Sequence, residues 1–237
     1  MTYVLHNRLG SGGFLVEAML SVAGVPFRYE PLDSAPNTPV RPLIEHVNPW
    51  GQVPVLETPD GRVLTECGAI LLYLVEREPA CRDGPHLFVP RDDGGGRAGE
   101  AHAGSSAACL RWTVFLSANV YEGILRENYP RRYFEPLGED DVDTEIAERV
   151  RRSARRRTHA AFALLEEHVI DGEGDFLLGK RLSPVDIYLA FLYAWHNKQP
   201  DLPKCTAITR RVATHELIRP IWERNFSDRL DEKWHLM

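Results

Sequence analysis

Apolar and polar positions along the chain change rhythm near its middle. Tyr3-Val4-Leu5-His6 reads as a short strand, and Asn7 to Gly13 as a turn. From Phe14 to Leu20 the period becomes helical, with Leu15, Ala18, Met19 and Val22 on one face and Gly24 as the stop. Residues 25–32 alternate and predict a second strand, and residues 39–46 a short, poorly marked helix. Next comes Asn48-Pro49-Trp50-Gly51-Gln52-Val53-Pro54-Val55-Leu56-Glu57, a loop running into a strand opened by a proline. Proline has no N–H for a sheet ladder, so it belongs at a strand's first residue or edge. Pro59-Asp60-Gly61 predicts a hairpin, Arg62-Val63-Leu64 a second short strand, and Glu66 or Cys67 the start of a helix. The order is β-α-β-α-β-β-α, with the first two strands parallel and the last two antiparallel.

Residues 76–97 break this rhythm with Pro79, Gly84-Pro85, Pro90 and Gly94-Gly95-Gly96. Beyond them the pattern is helical throughout. A long helix is expected over 101–119, with Ala108, Cys109, Trp112 and Phe115 on its buried sides, followed by irregular helix to Phe134. The acidic run Glu139 to Asp143 suits the positive end of a helix reaching about Val169. Phe176-Leu177-Leu178-Gly179 reads as a compact turn. Ser183-Pro184-Val185-Asp186 opens a helix with a capping-box outline, and its residues 187–195 are apolar all round, so it should be buried. Later helices are expected over 210–217 and after Pro220. The predicted units are residues 1–80, a linker over 81–97, and an all-α region over 98–237.

Composition narrows the function classes. The 237 residues carry a net charge of -6, with a pI of about 5.9, which gives no global attraction to nucleic acid. No apolar run approaches the roughly 20 residues that span a bilayer, and the N-terminus lacks a secretory pattern. Cys67, Cys81, Cys109 and Cys205 are scattered without a Cys-x-x-Cys pair, as expected of reduced thiols in a cytoplasmic protein. The nine histidines form no ligand-spaced cluster, so no metal is expected. The arginines between Arg149 and Arg157 read as a solvated basic face.

The candidate chemistry lies around Pro54. A cis Val53-Pro54 bond would turn the Val53 backbone N–H and C=O toward an extended peptide, and a helix starting at Glu66-Cys67 offers free N–H groups beside a carboxylate. Such a corner suits a peptide-like ligand with both an amine and a carboxylate. The run Gln52-Val53-Pro54-Val55-Leu56, then Asp60-Gly61, then Thr65-Glu66-Cys67-Gly68-Ala69-Ile70-Leu71-Leu72-Tyr73-Leu74 resembles the glutathione-binding half of the glutathione S-transferase superfamily. Residues 174–189 resemble the capping-box segment of that family's helical domain. The resemblance is to a bacterial-type or unclassified subgroup with a serine-type active-site turn.

The resemblance implies a thioredoxin-like N-terminal domain, an all-α C-terminal domain, a cytoplasmic homodimer, and conjugation of glutathione thiolate to small apolar electrophiles, a detoxification chemistry. It implies a cis Pro54, pairing of glutathione with the Val53 backbone, an amine contact from Glu66, and further contacts from Gln52, Gly12 and Cys67, the last standing where the family has serine. A free thiol titrates near pH 8.5, so a donor must hold the thiolate. The turn Leu9-Gly10-Ser11-Gly12-Gly13-Phe14 has Ser11 as its one hydroxyl. Ser11 is thus the catalytic candidate, alongside the turn's backbone N–H groups, and a plain helix cap is its structural alternative. Ala108, Arg111, Trp112 and Phe115 are the candidates for the electrophile pocket. A glutathione-dependent peroxidase or disulfide reductase, and a glutathione-binding scaffold without turnover, stand as alternatives.

Overall fold

The computed structural model describes residues 2–32, 41–90, 106–168, 174–196 and 201–226. Four strands, β1 (Tyr3–Asn7), β2 (Phe27–Pro31), β3 (Val55–Glu57) and β4 (Val63–Thr65), form one sheet in the order β2-β1-β3-β4. β1 pairs with β2 in parallel, Tyr3 opposite Phe27. β3 is antiparallel to both β1 and β4. Helices α1 (Gly13–Val22), α2 (Arg41–Ile44) and α3 (Cys67–Arg77) complete the thioredoxin-like β-α-β-α-β-β-α order. The hairpin between β3 and β4 closes through Thr58, whose N–H donates to the Arg62 carbonyl at 2.8 Å, while its hydroxyl accepts from the Arg62 N–H at 2.9 Å. Val53-Pro54 is cis, and Pro54 directly precedes β3, where its missing N–H leaves no ladder bond unmade.

α4 (Pro79–Asp83) falls within the region expected to lack structure. Proline at its first position needs no hydrogen-bond partner, which is why the helix tolerates Pro79. Residues 84–90 tie the halves together: the Phe88 N–H donates to the Leu182 carbonyl at 2.9 Å. The rest of the predicted linker, and the start of the helix predicted from Ala101, lie outside the described residues.

The second half is helical: α5 (Ser106–Phe115), a π-helical segment (Leu116–Tyr121), α6 (Glu122–Asn128), a 3₁₀ turn (Pro130–Arg132), α7 (Asp140–His168), α8 (Pro184–Trp195), α9 (Pro203–Thr214) and α10 (Arg219–Phe226). α8 is buried along its whole length, as its all-round apolar sequence requires. Its capping box is complete: Asp186 accepts from the N–H groups of Ser183 at 2.8 Å and Leu177 at 2.7 Å, and from the Ser183 hydroxyl. α9 starts seven residues before the expected Arg210, because Pro203 occupies its first turn, where proline is preorganised for a helix.

The core is continuous across both halves. Phe14 of α1 packs on Phe191 of α8 and on Trp222 and Phe226 of α10, with ring centroids 6.0, 5.6 and 5.2 Å apart. Phe14 is fully buried, so the entrance to α1 is fixed against the helical half. Among the described residues no helix is long and apolar enough to cross a membrane.

Candidate active site

Three local structures meet at one cleft. The first is the loop before β3. Gly51 takes a left-handed φ of 70° that a side chain would resist, and its N–H donates to the Asn48 carbonyl at 2.7 Å. The Asn48 side chain donates to the Gln52 carbonyl at 2.9 Å and accepts from the Trp50 N–H at 3.1 Å. This bracing presents Gln52, Val53 and Pro54 to the cleft.

The second is the start of α3. Among the described residues Glu66 is the one non-glycine at positive φ, 69°. Such a conformation costs on the order of 1–3 kcal/mol and persists where the surroundings impose it. The turn it makes carries the chain from β4 into α3 and sets Glu66 and Cys67 on the cleft wall. The third is the glycine-rich turn before α1. A Cβ added at Gly12 would lie 2.4 Å from the Cys67 sulfur and 3.2 Å from Pro54 Cδ, so glycine is required there. The turn, the proline and the α3 start therefore touch.

The cleft encloses about 440 Å³. Its sheet-side wall is Gln52, Val53, Pro54, Glu66, Cys67 and Leu72. The opposite wall is Thr113, Val114, Ser117, Ala118, Tyr121 and Glu122, and Tyr188 of α8 closes it. The helical wall is held by its own hydrogen bonds. Ser117 Oγ donates to the Thr113 carbonyl at 2.9 Å and lies 3.2 Å from the Tyr188 hydroxyl. Gly68 makes the crossing possible, since a Cβ there would meet Ser117 Oγ at 2.5 Å.

The structure brings Gln52, Val53, Pro54, Glu66 and Cys67 together on one wall, with Gly12 against Pro54 and Cys67. It places Ser11 differently. The Ser11 hydroxyl lies 2.7 Å from Asn7 Oδ1 and 2.6 Å from the Arg8 carbonyl. Two acceptors compete for its single proton, and Ser11 does not line the cleft. Nor does it cap α1: Gly12 holds the N-cap position, without a side-chain bond. Cys67 is buried, its thiol donates to the Gly12 carbonyl at 3.5 Å, and burial followed by the Glu66 charge pushes its pKa up to about 12. At neutral pH it is a thiol and no nucleophile.

The expected electrophile-pocket residues lie elsewhere. Ala108 and Trp112 face the core, Phe115 packs edge-on against Trp112 at 5.6 Å, and Arg111 lies over the Trp112 ring at 4.5 Å. The cleft takes the neighbouring stripe of the same helix. Four residues overshoot one α-helical turn by roughly 40°, so Thr113, Ser117 and Tyr121 would drift around the axis. The wider π segment over Leu116–Tyr121 takes back part of that drift and keeps the three hydroxyls in line. Sequence reasoning missed Tyr121, although a hydroxyl at every fourth position of a predicted helix was a usable signal.

Residues 16–77 match the family model described as "Glutathione S-transferase, N-terminal domain". The chain is 24% identical to the uncharacterized GST-like protein YncG of Escherichia coli K12 over 221 residues, covering 91% of this chain and 95% of that one. It is 27% identical to the glutathione S-transferase GstA of Escherichia coli O157:H7 over 150 residues, 63% of this chain and 59% of that protein. In structure it is similar to a glutathione transferase homolog from Sulfitobacter, solved with bound glutathione, with a TM-score of 0.74 at 19% identity over 93% and 96% of the two chains. Residues 16–77 thus carry the N-terminal domain of the glutathione S-transferase family, and the fold of the chain is that of the glutathione transferase homolog.

Proposed function

We propose that the protein is a glutathione transferase that conjugates the glutathione thiolate to small apolar electrophiles. The observation that carries this reading is the junction of the Val53-Pro54 edge, the Glu66-Cys67 helix start and the α1 entrance at one cleft whose far wall is partly apolar. Glutathione lies extended along Val53, whose backbone pairs with the peptide's cysteinyl unit. Its α-amino group meets the Glu66 carboxylate, its γ-glutamyl carboxylate takes the Cys67 N–H at the positive end of α3, and Gln52 flanks the chain. The thiol is thereby directed at Gly12 and the α1 start, whose aligned N–H groups favour the anion. The sulfur lone pair then forms a bond to the electrophilic carbon, and the leaving group departs with its bonding pair. Val114, Ala118 and Leu72 offer an apolar site for that carbon. Holding both reactants within one 440 Å³ cleft supplies proximity. A homodimer is the assembly that the family resemblance supports.

The sulfitobacterial neighbour with bound glutathione and the likeness to GstA support this reading. A second reading, glutathione binding without turnover, is favoured by the Ser11 proton being drawn to Asn7 and Arg8. The experiment that separates them is turnover of the purified protein with glutathione and an aryl halide, a hydroperoxide and a small disulfide, with binding measured in parallel. Conjugation supports the transferase. Binding without turnover of any of the three selects the scaffold, and turnover of the hydroperoxide or disulfide alone selects the peroxidase or reductase.

A further inference from the structure

We propose that Tyr121, on the helical half, is the catalytic residue that holds the glutathione thiolate, donating a hydrogen bond from its phenolic hydroxyl to the sulfur. This rests on the glutathione reading above and assigns the role that the turn before α1 leaves unfilled. That turn offers no side chain for it: Gly10, Gly12 and Gly13 have none, and the Ser11 proton goes to Asn7 or Arg8. The Tyr121 hydroxyl reaches this turn from across the cleft and comes within ordinary contact distance of the position a side chain at residue 12 would start from. A Cβ at Gly12 would lie 3.6 Å from the Tyr121 hydroxyl oxygen, beside Pro54 and Cys67.

Of the other cleft hydroxyls, that of Thr113 is buried without a hydrogen-bond partner and is not the one set against Gly12, while those of Ser117 and Tyr188 are committed. Ser117 donates to the Thr113 carbonyl, which leaves its oxygen to accept from Tyr188. Cys67 donates to the Gly12 carbonyl. Among the described residues no hydrogen-bond partner meets the Tyr121 hydroxyl, so its proton remains for a ligand. The ring is clamped by stacking on Trp195, centroids 5.4 Å apart at 27°. Tyr121 is the last residue of the π segment that sets the phase of this wall.

The hydroxyl also stays protonated. Burial, followed by the acidic groups around it, raises its pKa well above the usual phenol value, and Tyr188 stands beside it on the cleft wall. A neutral donor in a partly buried site strengthens as an anion forms against it. In the step itself the glutathione thiol gives its proton to solvent and Tyr121 keeps its own. The sulfur lone pair attacks the carbon of an aryl halide, and the halide leaves with the bonding pair.

The test is Tyr121→Phe, which keeps the ring and its stack, read by ultraviolet titration of the bound glutathione thiol and by turnover with an aryl halide. S-methylglutathione, which carries no thiol, reports whether the site is intact. The expected result is unchanged S-methylglutathione affinity, a bound-thiol pKa higher by about one unit or more, and kcat/KM lower by about 10- to 100-fold, with Ser11→Ala unaffected. Unchanged thiol titration in Tyr121→Phe overturns the proposal alone. Loss of S-methylglutathione binding marks a packing role and overturns it too. Failure of the wild-type protein to bind glutathione overturns the glutathione reading and this proposal with it.

Discussion

Glu66 carries a cost in the fold that its position in the cleft explains, and two substitutions separate the two effects. At φ 69° a Cβ is crowded against its own backbone, a penalty of about 1–2 kcal/mol for an L-residue. Glu66→Ala keeps that penalty and loses the carboxylate. Glu66→Gly loses both, at the cost of a freer unfolded chain worth about 0.4–1 kcal/mol. Glycine should therefore be the more stable replacement by roughly 0.5–1 kcal/mol, the reverse of an ordinary helix position, where glycine is the worse by about that amount. For a chain of this size that is a difference in Tm of about 1–4 °C. Both variants should bind glutathione roughly 10- to 100-fold more weakly, the loss of one hydrogen bond between charged groups. Thermal unfolding of the two variants, with calorimetric binding alongside, measures both. Glu66→Gly unfolding below Glu66→Ala would refute the strain, and undiminished binding in both would remove the carboxylate from the ligand contact.

Gly12→Ala should cost about 1–3 kcal/mol, because its Cβ would meet the buried Cys67 sulfur at 2.4 Å. Adding Cys67→Ala should restore most of that loss in a four-protein denaturation cycle, whereas additive costs would contradict the contact. His196 is buried, and its Nε2 lies 2.7 Å from Glu127; burial lowers its pKa below the usual 6.5. The unfolded chain therefore takes up that proton first, so this contribution is complete above pH 6.5 and shrinks as the pH falls below it. Compared with His196→Gln, which keeps a neutral donor for Glu127, the wild-type protein should lose stability between pH 7 and 5, and parallel curves would contradict this.

The N-terminal half was legible because its signals are local. Pro54 cannot enter a ladder, Gly24 and Gly61 accept positive φ, and apolar periods of two and then 3.6 separate strands from helices. The same held for α8, whose caps and all-round apolar sequence stated both its start and its burial. What escaped depends on contacts between distant residues or on helix phase. The Ser11 hydroxyl sits in a glycine-rich turn, but Asn7 at the end of β1 and the Arg8 carbonyl just after it compete for its proton. The wall of the cleft was placed on Ala108, Arg111, Trp112 and Phe115 because large aromatics and a lone base draw the eye. Trp112 and Phe115 instead pack together, and a π segment without an evident sequence mark rotates Tyr121 into the site. The meeting of Val53-Pro54 with Glu66-Cys67 was thus readable from proline, glutamate and glycine spacing, and the helix phase that brings Tyr121 to the same cleft was not.

The central claim is that the corner formed by Val53, Pro54, Glu66 and Cys67 is a glutathione site. The most direct measurement is calorimetric titration of the purified protein with glutathione, repeated on Glu66→Gln. Saturable one-site binding at micromolar to millimolar glutathione, weakened in the variant, is the predicted result. No binding by the wild-type protein over that range, or equal binding by both proteins, would contradict it.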